Sequence, residues 1–164
     1  VSLITVFLTA GGILALDRLT KHLAETTLAP GVSVPVFGNI FHLTLVHNRG
    51  AAFGLLPDAA VFFIAVACVS IVAITVAFWR PHLFERLFGL RVTEYRVGTA
   101  FALILGGALG NMIDRLRHGH VIDFLDFRVW PVFNFADTAI TCGGILIVIA
   151  LIREMRCKDG PDTL

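Results

Sequence analysis

Four long apolar runs dominate the chain, and the polar residues that interrupt them form short islands at the run ends. The first run covers residues 2–24 and carries no charge through Leu16; the second, 59–79, carries none at all. The third, 97–113, and the fourth, 138–152, fall a little short of the roughly 20 apolar residues a spanning helix needs unless each includes its polar rim. The pattern predicts a mainly α integral membrane protein, a bundle of four transmembrane helices. No small-residue cleavage pattern behind a basic leader is evident around 9–16, so the first run reads as a helix and not as a cleavable signal peptide.

Alternation of the spans has a direct consequence for the islands. The end of the first span, the start of the second, the end of the third and the start of the fourth lie on one membrane face. Asp17, Lys21, Asn48, Asn111, Asp114, Arg115, Asp123, Asn134 and Asp137 therefore converge there. Between the first two spans, Val32, Val34 and Val36 recur at period two, Gly38-Asn39 signals a turn, and a β-branched and aromatic stretch follows. Residues 31–47 thus predict a small hairpin or sheet on the membrane surface. The connection 116–133, punctuated by Gly119, Trp130 and Pro131, predicts an interfacial helix or loop. No repeat or low-complexity tract divides the 164 residues, which read as one domain.

Composition agrees with the pattern: the chain is 57% hydrophobic and 15% charged, with a mean hydropathy of +0.85, outside the range of ordinary soluble domains. On the face that holds both termini there are seven basic residues, Arg80, Arg86, Arg91, Arg96, Arg153, Arg156 and Lys158. Six lie on the other: Arg18, Lys21, Arg49, Arg115, Arg117 and Arg128. That bias favours cytoplasmic termini only weakly. No Met opens the chain and no Lys or Arg precedes Arg18, which suggests a trimmed or unusual start. A net charge of +1 gives no reason to expect nucleic acid. Cys68, Cys142 and Cys157 show no CxxC spacing.

Each island has a structural and a chemical reading. Asp17 and Lys21 stand four apart with the acid first, the favourable orientation for an intrahelical ion pair that ends the first span. Gly106-Gly107-Ala108-Leu109-Gly110 offers a small-xxx-small step for close helix approach. Asn111, Asp114 and Arg115 follow at i, i+3 and i+4, so a helix face presents an amide, a carboxylate and a guanidinium. Asp114 and Arg115 either pair as a cap to the bundle, or Arg115 offers its fork of donors to a substrate carbonyl or lipid head group.

Asp123 and Asp137 are the candidates for chemistry. Asp123 lies in Val121-Ile122-Asp123-Phe124, where apolar neighbours disfavour its charge, and Asp137 opens the fourth span. Two carboxylates held close in a poorly solvated place share a proton. The charged member can then take a proton from water while the neutral one polarises a carbonyl, which is peptide hydrolysis without a covalent intermediate. Asp137 as a simple helix cap is the alternative. Asp126 is the rival to Asp123, discounted because its FLDF context points it to solvent. Ser2, Ser33 and Ser70 lie outside the islands, so a serine nucleophile is not expected. His118 and His120 lack the HExxH spacing of a metal peptidase and read as solvated interfacial residues; no metal or cofactor is expected.

Taken in order, five blocks carry a family resemblance: Leu16-Asp17-Arg18-Leu19-Thr20-Lys21; Asn48-Arg49-Gly50-Ala51-Ala52-Phe53; Gly106 through Arg115; Gly119-His120-Val121-Ile122-Asp123-Phe124; and Phe133-Asn134-Phe135-Ala136-Asp137. The sequence resembles the lipoprotein signal peptidases, or signal peptidase II, the bacterial membrane aspartyl peptidases. The resemblance implies removal of the signal peptide from a prolipoprotein, just before a diacylglyceryl-modified cysteine. It makes Asp123 and Asp137 the catalytic dyad and gives Asn48, Asn111, Arg115 and Asn134 positioning roles. Asp17, Lys21 and Asp114 become supports of the site. It further implies cytoplasmic termini, a site near the outer leaflet of the cytoplasmic membrane, a β-cradle for substrate, and a mobile cover after Leu116. The partners expected are membrane lipid and lipidated prolipoproteins, met by a monomer. At its start the sequence departs from the family pattern, because no basic leader precedes the first span.

Two other classes compete. A proton-coupled carrier would carry carboxylates near the middle of its spans, whereas here they sit at one rim. A scaffold assembling through the small-residue step leaves the converging Asn and Asp residues unexplained.

Overall fold

The computed structural model describes residues 1–50 and 60–158. Among the described residues, five helices and three strands follow one another as α1 (Leu3–Thr27), β1 (Ser33–Phe37), β2 (Phe41–Asn48), α2 (Ala60–Trp79), α3 (Pro81–Phe88), α4 (Tyr95–His118), β3 (Val121–Asp126) and α5 (Phe135–Lys158). Helices α1, α2, α4 and α5 are long and apolar enough to cross a membrane. The third and fourth spans run well past 113 and begin before 138, so the polar rims are inside the helices. Their length problem disappears because the rim side chains are partnered, as described below, and the helices need not end where polarity begins. The short α3 connects α2 to α4 with Pro81 in its first turn, where a missing N–H costs nothing. It was not foreseen from the sequence.

Helix α4 is the pillar. Of its apolar window 67% is buried, against no more than 22% for the other spans, and it packs against α1, α2 and α5. Small residues make this possible. A methyl group at Gly106 would come within 2.7 Å of the Ala10 carbonyl oxygen, at Gly107 within 2.5 Å of the Ala136 oxygen, and at Gly110 within 2.5 Å of Asp17 Oδ2. The small-residue step is therefore used inside the bundle, against α1 and α5. Helix α4 stops at Gly119, whose φ of 74° is a left-handed cap and whose N–H reaches the Arg115 carbonyl. The outward faces of α1, α2 and α5 expose Ile4, Leu8, Val61, Val69, Ile145 and Val148, as lipid contact requires.

The three strands form one antiparallel sheet in the order β1-β2-β3. β1 and β2 make the hairpin expected around the Gly38-Asn39 turn. The connection after Leu116 differs from a simple cover: its first half is β3, paired with β2, and only residues 127–134 form a loop. That loop folds back so that Phe133 bonds both ways with Leu125. Beneath the sheet, Leu45, Ile122 and Phe124 pack on Ala24 of α1 and tie the strands to the bundle. At the opposite end Ile74, Ala77, Leu90, Val92, Val97 and Ala150 form a second core, and the Val1 amino group donates to the Thr93 carbonyl.

Candidate active site

Two polar clusters occupy the sheet end of the bundle. The first is built from charges. Lys21 Nζ lies 3.1 Å from Asp17 and 2.7 Å from Asp114, and Arg18 bonds the same two carboxylates at 2.7 and 2.6 Å. Asp17, Lys21 and Asp114 are at most 1% exposed. Each acid also accepts a backbone N–H, Asp17 from Ala136 of α5 and Asp114 from Ile122 of β3. The expected Asp17–Lys21 pair is present but is half of a four-residue network joining α1, α4, α5 and β3. Asp114 turns to α1 and does not pair with Arg115. Arg18 was missed as a member; the available signal was a second cation adjacent to Asp17 in a span.

The second cluster is built from amides and two further carboxylates, Asp123 and Asp137. Asn48 Nδ2 donates to Asp123 Oδ2 at 2.8 Å, and Asn134 Nδ2 donates to Asp123 Oδ1 at 2.7 Å. Asn111 Nδ2 donates to Asp137 Oδ1 at 2.7 Å. Asp137 Oδ2 accepts the Asn134 N–H while Asn134 Oδ1 accepts the Asp137 N–H, a reciprocal cap just before α5. The cap reading of Asp137 thus holds for its Oδ2, while its Oδ1 is held by Asn111. Asn111 joins the clusters: its Oδ1 takes Lys21 Nζ at 2.8 Å and Asn134 Nδ2 at 3.1 Å, which commits its amide nitrogen to Asp137.

Burial pushes the Asp123 carboxyl up to about 7, and the neighbouring Asp137 charge adds to this. The Asn48 and Asn134 donors and the Lys21 charge pull the other way. Asp123 and Asp137 line a cavity of about 410 Å³ together with Asn48, Asn111 and Arg115. The cavity continues between α2, α4 and α5 past Phe63, Val66, Ala67 and Ile140, with Trp130 to Phe133 along its rim. The Arg115 guanidinium lies 4.6 Å from the Phe63 ring centroid and reaches the Asn111 carbonyl at 3.5 Å. Among the described residues no carboxylate comes within ion-pair distance of it.

Asp126 departs from expectation. It is 5% exposed and not solvent-facing, because Thr44 donates to it at 2.7 Å and the Arg128 backbone and side chain both bond it. Burial works to raise its carboxyl, yet these donors hold it below the usual range. It lies on the sheet face away from Asp123 and does not line the cavity. His118 is exposed as expected, while His120 is half-buried against His47, with ring centroids 4.4 Å apart. Of the Asn48 block, Ala51-Ala52-Phe53 lies outside the described residues.

Residues 9–153 match the family model described as signal peptidase (SPase) II. The chain belongs to the signal peptidase II family. A lipoprotein signal peptidase of Moorella thermoacetica is 46% identical over 140 residues, covering 85% of this chain and 87% of that protein. One from Pelotomaculum thermopropionicum is 42% identical over 150 residues, covering 90% and 91%. A bacterial membrane enzyme solved by the in meso method at 2.3 Å is 31% identical and superposes with a TM-score of 0.84, over 99% of this chain and 95% of that one. Membership makes the chain a protease of aspartic type, and with four apolar helices it is a multi-pass protein of the bacterial inner membrane.

Proposed function

We propose that this signal peptidase II family member removes the signal peptide from prolipoproteins, cutting before a diacylglyceryl-modified cysteine, with Asp123 and Asp137 as the catalytic dyad. One observation carries the reading: the buried Asp123 and the half-buried Asp137 line one cavity and are held by neutral amides, not by bonded cations. Like charges in such a place favour one shared proton. The charged member takes a proton from water, whose oxygen attacks the scissile carbonyl carbon. The neutral member donates to the carbonyl oxygen and then, as the C–N bond breaks, a proton passes to the leaving nitrogen.

Asn48 and Asn134 orient Asp123, Asn111 and Asn134 orient Asp137, and Arg115 supplies donors to a substrate carbonyl. Asp17, Lys21 and Asp114 hold α1, α4 and α5 in the geometry that aims these amides. The apolar arm of the cavity between α2, α4 and α5 suits acyl chains entering sideways from lipid. The sheet is the cradle along which the peptide lies, and loop 127–134 is the cover. The chain works as one monomeric domain with both termini cytoplasmic and the site near the outer leaflet.

The test is cleavage of a synthetic lipidated prolipoprotein peptide by purified protein in detergent, with and without chelator, beside Asp123→Asn and Asp137→Asn. Each variant is expected to stay folded and lose at least about 10³-fold in kcat/KM. Normal turnover by either variant removes that residue from the dyad.

A further inference from the structure

Strand β2 does not pair evenly with β3. His42 stands opposite Asp126 and Leu43 opposite Leu125, but Val46 stands opposite Asp123, His47 opposite Ile122 and Asn48 opposite Val121. One extra residue in β2, at Thr44–Leu45, separates the two stretches. Side chains alternate faces along a strand, so such a bulge switches the face of everything beyond it. Before the bulge, even-numbered residues of β2 share the Asp126 face. After it, Val46 and Asn48 share the face of Asp123. In an unbulged pairing Asn48 would point away from Asp123, and its 2.8 Å hydrogen bond could not form.

The bulge is held on every side. The Leu45 side chain is 3% exposed in the core with Ala24, Ile122 and Phe124, and its carbonyl accepts the Gly31 N–H at 3.0 Å. The Thr44 hydroxyl, 2.7 Å from Asp126 Oδ2, spans the two strands at the bulge, with Ser33 at 2.9 Å on its other side.

We propose that Thr44 and Asp126 are positioning residues for the peptidase reaction: their hydrogen bond pins the bulge that turns Asn48 onto Asp123. This rests on the dyad reading above. The charges facing Asp123 are Asp137 of α5, Lys21 of α1 and Arg115 of α4, with Asn48 and Asn134 as neutral donors. Asn48 favours the ionised carboxylate, so loosening it raises the pH at which Asp123 gives up its proton.

The experiment is the pH dependence of kcat/KM on a lipidated peptide for wild type, Asn48→Ala, Thr44→Val, Thr44→Ser, Asp126→Ala and Asp123→Asn, each with a melting curve. Thr44→Val and Asp126→Ala are expected to move the profile toward higher pH by about half a unit. Asn48→Ala should move it further, and Thr44→Ser should restore the wild-type profile. A Thr44→Val profile that coincides with wild type, while Asn48→Ala shifts and Asp123→Asn is inactive, overturns the positioning role and leaves the dyad intact. Full activity of Asp123→Asn overturns the dyad reading and this one with it. Should Thr44→Val fail to fold, Asp126→Ala against Thr44→Ser decides the same question.

Discussion

The charged cluster and the amide cluster adjoin one another at the same end of the bundle, yet they treat carboxylates in opposite ways. Asp17 and Asp114 each bond Lys21 and Arg18, so two acids face two cations. Asp123 and Asp137 receive only neutral amide and backbone donors among the described residues, so nothing bonded to them compels both to ionise. The lesson is that a buried acid paired with cations is a fixed strut, whereas one held by amides has no bonded cation to fix its charge. Asn111 is the joint: Lys21 locks its oxygen, which aims its nitrogen at Asp137.

Breaking the strut is expected to give the largest effect on stability. Lys21→Met leaves Asp17 and Asp114 sharing Arg18 alone in a site of at most 1% exposure, at a cost of about 3–5 kcal/mol. Thermal unfolding in detergent should register this, with activity lost alongside. If Lys21→Met melts like wild type, the cluster is not a strut. Gly110→Ala attacks the same cluster sterically, by driving a methyl group onto Asp17 Oδ2, and is expected to cost about 1–3 kcal/mol.

The joint should separate the two regions. Asn111→Ala removes the donor on Asp137 while every ion pair of the strut remains, so kcat/KM should fall about 10²-fold with a melting shift of only a few degrees. Equal losses in activity and stability would mean that the two clusters act as one structural unit.

The smallest effect is a pH trend. Asp123, raised in the folded state, binds more protons there than in the unfolded chain between its ordinary value and about 7. Stability linked to it therefore declines as pH rises through that window. Asp123→Asn has no such titration, so its melting temperature relative to wild type should climb from about pH 4 to 7 and then level off. A flat difference across that range would show that Asp123 ionises as easily folded as unfolded.

Much of this was legible in the chain because a membrane leaves few options. Apolar runs of spanning length must be helices, since only a helix satisfies its own backbone bonds in lipid. An even number of spans then brings alternate ends together, which gathered Asp17, Asn48, Asn111, Asp123, Asn134 and Asp137 without any coordinates. Period two and the Gly38-Asn39 turn marked the β1–β2 hairpin in the same way.

Only the tertiary structure decided how the gathered groups divide. Arg18 and Lys21 both bond Asp17 and Asp114, and the choice of Asp114 for α1 over Arg115 depends on how α4 rotates against its neighbours. Asp126 looked solvent-facing because a strand inside the 116–133 connection cannot be recognised until its partner β2 is known. The bulge at Thr44–Leu45 has no local signature at all: it is a mismatch between two strands, and a mismatch exists only once both are paired. Local pattern determined the elements and which end of the bundle holds the polar groups, because hydrophobicity acts residue by residue. Register and helix rotation determined which carboxylates meet cations and which meet neutral amides, because those are properties of pairs.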